Sequence, residues 1–256
     1  MLKQRTEDNI IIATFDDGKT NTITEEVVNT LGEIISNVNE NKDVKGLVLT
    51  GAGKTFSSGF DLPLFLGFKD LSEVVAFFRK EEEVLINLFM CRKPVVAAWN
   101  GAAVAGGFIF SMAADYRIVK NHPKIKVGMN EIKIGLGLSI VQTEVVRFGL
   151  DSDKRYRDVM YNGEMFDVQK AKEIGIVDEI VEEDQLILRA KQVVSQWIDN
   201  PGRAFMLLKT SMRKPYEDRM RQRLRDEDWK SGFNIMFDKQ TRQFLELGAK
   251  MQHPDR

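Results

Sequence analysis

Residues 56–62 read FSSGFDL, and residues 100–107 read NGAAVAGG. Each stretch follows an apolar, strand-like run and leads into a helical pattern, so each predicts a tight turn of small residues between a strand and a helix. Such a turn exposes backbone N–H groups at a helix N-terminus, where the first donors lack an intrahelical acceptor and the dipole favours negative charge. Two such turns that converge would form an oxyanion hole for a developing enolate or alkoxide.

The first turn has small residues where a ligand would have to approach the backbone. Ser58 and Gly59 leave room for that approach, and the amide of Phe60 is the donor expected to point into the site. Asp61 suits the first turn of the following helix, where its charge complements the dipole. An ordinary Ser-Ser-Gly loop is the alternative for this stretch taken alone.

The second turn leaves almost no side-chain volume where the strand becomes a helix. Ala105 and Gly107 flank Gly106, whose amide is the expected second donor. Close helix–strand packing accounts for part of this composition, and a close contact between backbone and ligand accounts for the rest. The sequence has neither a G-x-G-x-x-G fingerprint nor a complete G-x-x-x-x-G-K-[ST] Walker motif, so it does not indicate a diphosphate site.

Composition narrows the class of protein. The 256 residues are 43% hydrophobic and 29% charged with a net charge of −1, so no global basic field is available to recruit nucleic acid or an anionic membrane. Cys91 is the only cysteine, and His122 and His253 are the only histidines, which argues against a disulfide, a histidine relay or a metal site. Residues 1–5 lack a signal-peptide pattern and no apolar run could span a membrane, so we expect a cytoplasmic, soluble protein.

The pattern along the chain alternates between strands and helices. Strands are predicted at residues 8–16, 45–51, 94–99 and 114–119, and helices at 24–40, within 70–90 and near 106–113. This repetition predicts a mixed α/β fold for a core at residues 1–198. Asp115 is expected to be buried or to cap an element, and His122 to lie on a loop surface.

Residues 199–256 are predicted to form a helical C-terminal region that packs on the core or on a neighbouring subunit. Pro215 is expected to interrupt the helical pattern, and the charged residues 213–225 to form a solvated helix face. The buried side of this region is predicted to consist of Trp229, Phe233, Met236, Phe237 and Phe244.

Six stretches together resemble the enoyl-CoA hydratase/isomerase (crotonase) superfamily. They are TFSSGFDL at residues 55–62, KPVVAAWNG at 93–101, AGG at 105–107, ADYRI at 114–118, NGEMFD at 162–167 and AKEIGIVD at 171–178. The match runs in register from about residue 8 to 180. The resemblance implies a spiral of ββα units with a helical C-terminal extension, and a homotrimer that often pairs into a hexamer.

The resemblance also implies the ligand. An acyl-CoA thioester would bind with its carbonyl oxygen between the amides of Phe60 and Gly106, and no cofactor or metal is needed because coenzyme A is part of the substrate. The surrounding residues that match the family's substrate-binding positions are Ser58, Gly59, Asp61, Leu62, Ala105, Gly107, Ile109 and Gly135. Candidate walls for an acyl tunnel are Leu62, Phe65, Leu66, Phe68 and Phe77, with hydrophobic-core packing as the alternative for most of them.

The family's two acid–base positions are not both acidic in this chain. Hydratases carry two glutamates, but here the first position is Ile109 and the second is Glu131. A 1,3-proton shift needs only one base, whereas hydration divides two tasks between two carboxylates. The sequence therefore favours a double-bond isomerase of the Δ3,Δ2-enoyl-CoA isomerase type, with Glu131 as base. Asp61, the other candidate carboxylate, is expected to be structural.

Other interpretations remain open from the sequence. Glu131 could be a surface carboxylate in a polar loop. The chain could be an enoyl-CoA hydratase, a lyase or hydrolase acting on another acyl-CoA, or an acyl-CoA-binding protein without catalytic activity.

Overall fold

The computed structural model describes residues 1–252, so His253 lies outside the described residues. Two β-sheets and the helices around them form a mixed α/β fold, as the sequence predicts. The larger sheet has the strand order β1-β2-β3-β5-β7-β10, in which β1 is antiparallel to β2 and the other neighbours are parallel. Its strands are β1 Leu2–Glu7, β2 Ile10–Phe15, β3 Gly46–Gly51, β5 Val95–Trp99, β7 Tyr116–Lys120 and β10 Glu179–Val181.

The smaller sheet has the order β4-β6-β8-β9 and consists of short strands. They are β4 Thr55–Ser57, β6 Ala102–Val104, β8 Val127–Gly128 and β9 Met165–Phe166. Three strands of the larger sheet, β3, β5 and β7, are each followed directly by a strand of the smaller one and then by helix. The chain therefore winds as repeated ββα units, which is the spiral that the family resemblance implied.

Helices connect and cover the sheets. The α-helices are α1 Glu25–Glu40, α2 Leu62–Gly67, α3 Leu71–Phe89, α4 Gly106–Met112, α5 Ile140–Leu150, α6 Asp153–Asn162, α7 Val168–Glu173, α8 Leu186–Ile198, α9 Ala204–Asp226 and α10 Lys239–Gln252. Short 3-10 helices occupy Glu131–Ile134, Glu183–Gln185, Pro201–Arg203 and Ser231–Phe237. Most α-helices begin at a polar cap; Thr24, for example, accepts a hydrogen bond from the Val27 amide.

Alternation along β2 explains why the larger sheet is buried on both faces. Ile11, Ala13 and Phe15 point into the main hydrophobic core, beneath α1 and the spiral's helices. Ile10 and Ile12 point to the other face, where α8 covers them in a second cluster. Both faces are apolar, as expected for parallel strands covered by helices on each side.

The predicted strands and helices are present with small boundary shifts. The strand predicted at 8–16 is β2, but residues 2–7 also form a strand, β1, which the sequence analysis did not predict. The short strands of the smaller sheet were missed as well, because two or three residues carry no readable alternation. No helix among residues 1–252 is long and apolar enough to cross a membrane.

The C-terminal region contains helices without strands through its last described residue, Gln252. The division into residues 1–198 and 199–256 stays a prediction. Pro215 does not interrupt α9. The proline removes the helical donor of the Ser211 carbonyl, and Ser211 is an exposed residue, so water can take the place of that donor. Phe244 is 39% exposed, contrary to the prediction, because its neighbour Leu245 occupies the core-facing side of α10.

A buried ion cluster holds α9 against the core. It includes Arg213, the first residue of the helix face that was predicted to be solvated, so that prediction is wrong for Arg213. Asp115 Oδ2 lies 2.6 Å from Lys209 Nζ, and Asp115 Oδ1 lies 2.8 Å from Arg213 Nη2. Arg213 is 2% exposed and also donates to the carbonyl oxygens of Phe89 and Ala113. The side chain of Asp115 is 6% exposed, in line with the expected burial, and it accepts a hydrogen bond from the Val95 amide.

Candidate active site

The two small-residue turns lie against each other. Parallel pairing of β4 with β6 brings their ends together, with Ser57 opposite Ala103. A Cβ added to Gly59 would lie 2.9 Å from the amide nitrogen of Gly106, and a Cβ added to Gly106 would lie 3.2 Å from the amide nitrogen of Phe60. The backbone amides that the sequence singled out are therefore close neighbours.

Glycine is required on both sides of this contact. Gly59 has φ +92°, a conformation that side chains disfavour, and an added Cβ would lie 2.6 Å from the Ala105 Cβ. At Gly107 an added Cβ would lie 2.7 Å from the carbonyl oxygen of Ser57. Close packing between the turns thus explains the glycines, and the same packing brings the two amides together.

The second turn has an unusual backbone conformation. Ala105 has φ +52° and ψ −127°, which is strained for a residue with a Cβ, and its amide donates to the Gly128 carbonyl at 3.2 Å. Behind the turn, Trp99 Nε1 donates to Ser111 Oγ at 2.9 Å, and Ser111 Oγ donates to the Gly107 carbonyl at 2.7 Å. Helix α4 is therefore braced from its buried side, and its N-terminus faces the first turn.

The first turn is held in place by a bridge to Ile23. The Ile23 amide donates to the Gly59 carbonyl at 2.8 Å, and the Asp61 amide donates to the Ile23 carbonyl at 3.1 Å. In an extended chain the N–H and C=O of one residue point to the same side, and those of the next residue point to the opposite side. The Phe60 N–H consequently points away from Ile23.

A cavity of about 270 Å³ brings Glu131 together with the aromatic residues around this turn. Phe60, Ile109 and Glu131 all line it, so three of the predicted site residues border one cavity. Ile109 is 1% exposed and belongs to the main core. The cavity is otherwise bounded by Phe65, Phe78, Leu136, Gly137, Leu138, Ser139, Ile140, Gln142, Asp228, Trp229, Gly232, Phe233, Ile235 and Met236.

Glu131 is the first residue of a 3-10 helix and is half-buried. Its Oε2 atom is inaccessible to solvent and has no hydrogen-bond partner in the part of the chain that the structure describes. Burial raises the pKa of Glu131 to about 7, although hydrogen bonds from its own amide and that of Asn130 act in the opposite direction. A carboxyl group with this pKa can both accept and return a proton near neutral pH.

The remaining predicted site residues lie outside the cavity wall. Asp61 caps α2 by accepting a hydrogen bond from the Leu64 amide, the structural role expected for it. Leu62 packs against Gly248 of α10. Gly135 ends the 3-10 helix with φ +75°. Ser58 donates its amide to the Thr20 carbonyl, and its Oγ is buried without a partner among the described residues. Their proposed contacts with substrate remain predictions.

Among the candidate tunnel walls, only Phe65 lines the cavity. Phe77 packs edge-on against Phe78 within an aromatic cluster, and Phe78, one residue along α3, takes the position at the cavity. Phe78 in turn stacks on Phe233 with ring centroids 4.3 Å apart. The C-terminal region of the same chain therefore closes one side of the cavity.

The sequence analysis missed a pair of buried acids beside the cavity. Glu81 and Glu82 on α3 are 0% and 1% exposed. Gln142, which lines the cavity, donates its Nε2 to Glu81 Oε1 at 3.3 Å. Burial, together with the charge of the adjacent Glu82, raises the pKa of Glu81 to about 8. In the sequence, the run Glu81-Glu82-Glu83 has the pattern of a solvated helix face. Glu81 and Glu82 are buried because they lie opposite α5, which the sequence alone does not show.

The comparisons with known proteins agree with this architecture. A model of the enoyl-CoA hydratase/isomerase family matches residues 5–248. The chain is 26% identical over 223 residues to mitochondrial enoyl-CoA delta isomerase 1 of Rattus norvegicus, covering 86% of this chain and 76% of the relative. It is 29% identical over 203 residues to a putative enoyl-CoA hydratase of Thermus thermophilus, covering 76% of each.

Solved structures share the fold. Human mitochondrial delta3-delta2-enoyl-CoA isomerase has a TM-score of 0.89 at 23% identity, covering 100% of this chain and 99% of that chain. An enoyl-CoA hydratase from Bacillus halodurans has a TM-score of 0.83 at 20% identity, covering 96% and 99%. At these identities the likeness concerns the fold, and one fold serves both activities. The extent of the family match nevertheless leads to one conclusion: this chain belongs to the enoyl-CoA hydratase/isomerase family.

Proposed function

We propose that this chain is an enoyl-CoA isomerase that converts a 3-enoyl-CoA into the conjugated 2-enoyl-CoA, with Glu131 as its only acid–base group. The observation that supports it best is the composition of the cavity, which Glu131 lines together with several aromatic residues and the apolar side chain of Ile109. A hydratase needs a second carboxylate at that position to handle water. Asp228 also borders the cavity, but it is exposed and hydrogen bonds from Ser231 hold its pKa low.

The proposed reaction moves one proton. The thioester oxygen binds between the amides of Phe60 and Gly106, and Glu131 removes a proton from C2 of the substrate. The resulting dienolate carries its negative charge on the thioester oxygen, where the two amides stabilise it. Glu131 then delivers the proton to C4, and the double bond lies between C2 and C3. The carboxylate ends in the form in which it began.

Burial of the base supports this cycle. A pKa of about 7 allows Glu131 to exist in both protonation states at neutral pH. The same carboxyl group can therefore take up the proton in the first step and release it in the second. The apolar wall limits water near the dienolate, which reduces competing hydration. The similarity to a mitochondrial enoyl-CoA delta isomerase is consistent with this chemistry.

The proposal includes the partners expected from the family. The substrate is an acyl-CoA thioester, and the coenzyme A part is substrate rather than a resident cofactor. A homotrimer, alone or paired into a hexamer, is the proposed assembly. The exposed apolar side chains Leu207, Leu208 and Met212 on α9 are consistent with a further surface being covered in such an assembly.

Two assays with one pair of variants test the proposal. Purified protein is incubated with 3-hexenoyl-CoA and with crotonyl-CoA, alongside Glu131→Gln and the control Glu164→Gln, whose side chain is exposed. We expect 2-hexenoyl-CoA without water addition, a loss of at least a thousandfold in Glu131→Gln, and full activity in the control. Hydration of crotonyl-CoA would instead identify a hydratase. Binding of both thioesters without turnover, unaffected by Glu131→Gln, would identify a non-catalytic acyl-CoA-binding protein.

A further inference from the structure

The side chain of Gln252, at the end of α10, spans the first turn of the site. Its Nε2 donates to the Phe60 carbonyl oxygen at 3.0 Å, and its Oε1 accepts from the Leu62 amide at 3.0 Å. One amide side chain therefore binds two backbone groups that flank Asp61. No other side chain in the described part of the chain makes this pair of contacts with the turn.

These contacts complement the bridge on the opposite side of the turn. Ile23 binds the Gly59 carbonyl and the Asp61 amide, whereas Gln252 binds the Phe60 carbonyl and the Leu62 amide. The backbone groups on both edges of the segment are thus held. The Phe60 N–H lies on the same edge as the Phe60 carbonyl that Gln252 fixes, because both groups of one extended residue point to the same side.

Helix α10 is docked independently of Gln252. Leu62 packs against Gly248. Nearer the start of α10, Arg242 Nη2 donates to the Leu66 carbonyl at 2.8 Å. Arg242 therefore joins the same two elements without contacting the turn at Phe60. It provides a control that separates docking of the helix from orientation of the turn.

We infer that Gln252 is a positioning residue that orients the Phe60 amide toward the thioester oxygen. This inference rests on the proposed function, in which that amide stabilises the dienolate. A donor fixed in direction needs no reorganisation when charge develops, so its alignment affects the transition state more than the bound substrate. Gln252 is not among the residues that line the cavity, so it acts through the turn.

Kinetics on Gln252→Ala, Gln252→Met and Arg242→Ala test the inference. Methionine retains the length of the side chain but makes neither hydrogen bond. We expect both Gln252 variants to lower kcat for 3-hexenoyl-CoA about tenfold with KM changed less than about threefold, because removal of an oxyanion donor lowers kcat by roughly 10²–10³ and misalignment should do less. Arg242→Ala should retain kcat. Wild-type kcat in the Gln252 variants, or an equal loss in Arg242→Ala, would overturn the inference.

Hydrogen exchange and binding keep this test separate from the proposed function. The Leu62 amide should exchange faster in Gln252→Ala than in wild type or Arg242→Ala. Affinity for a 3-oxoacyl-CoA, whose enolate places negative charge on the thioester oxygen, should fall at least tenfold in Gln252→Ala only. If the wild type does not isomerise 3-hexenoyl-CoA, the proposed function fails, and these two readouts still decide the role of Gln252. Unchanged exchange together with unchanged affinity would refute it.

Discussion

Gly106 and Phe60 meet so closely that a methyl group on Gly106 would lie 3.1 Å from two atoms of the Phe60 ring and 3.2 Å from its amide nitrogen. The space between the two turns is therefore filled to van der Waals contact without any side chain at residue 106. A substitution that displaces either turn would therefore change the spacing between the Phe60 and Gly106 amides. This relationship connects the packing of β4 and β6 to the proposed chemistry of the site.

Gly106→Ala should impair catalysis much more than stability. The added methyl group would push the Phe60 segment away and separate the two amides, so we expect kcat to fall by about two orders of magnitude, as when one oxyanion donor is removed. Steady-state kinetics and thermal unfolding of the same preparation measure both effects. Gly67→Ala is the control, since no atom lies within 4 Å of its added Cβ. Comparable kcat values in the two variants would show that the contact does not control the reaction.

The pH dependence of kcat/KM should report the ionisation of Glu131. The raised pKa of about 7 means that the base is protonated and inactive in acid, so kcat/KM should fall about tenfold per pH unit below this value and level off above it. The profile is measured with 3-hexenoyl-CoA between pH 5.5 and 9 at constant ionic strength. A plateau that extends down to pH 5.5 would indicate an ordinary exposed carboxylate, or a different base.

The sequence predicted the core of this arrangement because its signals are local. The two glycine-containing turns, their amides at Phe60 and Gly106, and the strands before them can be read from runs of five to eight residues. Strand β1 could also have been found. Asp8 and Asn9 both have positive φ, the two-residue turn that joins twisted strands, and an Asp-Asn pair before an Ile-rich run is a signal for it.

Other parts of the site depend on contacts between distant residues, for which the sequence carries no local signal. Gln252 binds the turn at Phe60, which lies 192 positions earlier in the chain. Phe233, on the 3-10 helix Ser231–Phe237, stacks on the ring of Phe78. Helical periodicity placed Phe77 and Phe78 on α3, but one residue is a rotation of about 100°, and tertiary packing decides which of them faces the cavity. The burial of Arg213 was unreadable for the same reason.

Asp115→Asn should strongly destabilise the fold. The substitution removes the only carboxylate in the buried cluster with Lys209 and Arg213, and leaves both cations buried without their counter-ion. Breaking such a cluster typically lowers the free energy of unfolding by about 3–5 kcal/mol. Urea unfolding measures this change. Asp218→Asn, which breaks the exposed pair with Lys214, should change the free energy by less than about 1 kcal/mol. Equal effects would mean that the cluster does not hold α9 to the core.

The buried acid Glu81 should make the protein less stable as pH rises. In the folded chain its pKa is raised to about 8 from an ordinary value of 4.5, so between these values the folded state retains a proton that the unfolded state has released. The stabilising contribution is complete below pH 4.5 and is lost as pH rises toward 8.

Glu81→Gln keeps an acceptor for Gln142 but does not titrate. Relative to wild type, it should gain on the order of a few kcal/mol of unfolding free energy between pH 5 and pH 8.5. Glu83→Gln, whose side chain is exposed next to Arg221, should not show this trend. Parallel pH profiles for wild type and Glu81→Gln would mean that Glu81 is ionised in the folded protein and that a group opposite α3 compensates its charge.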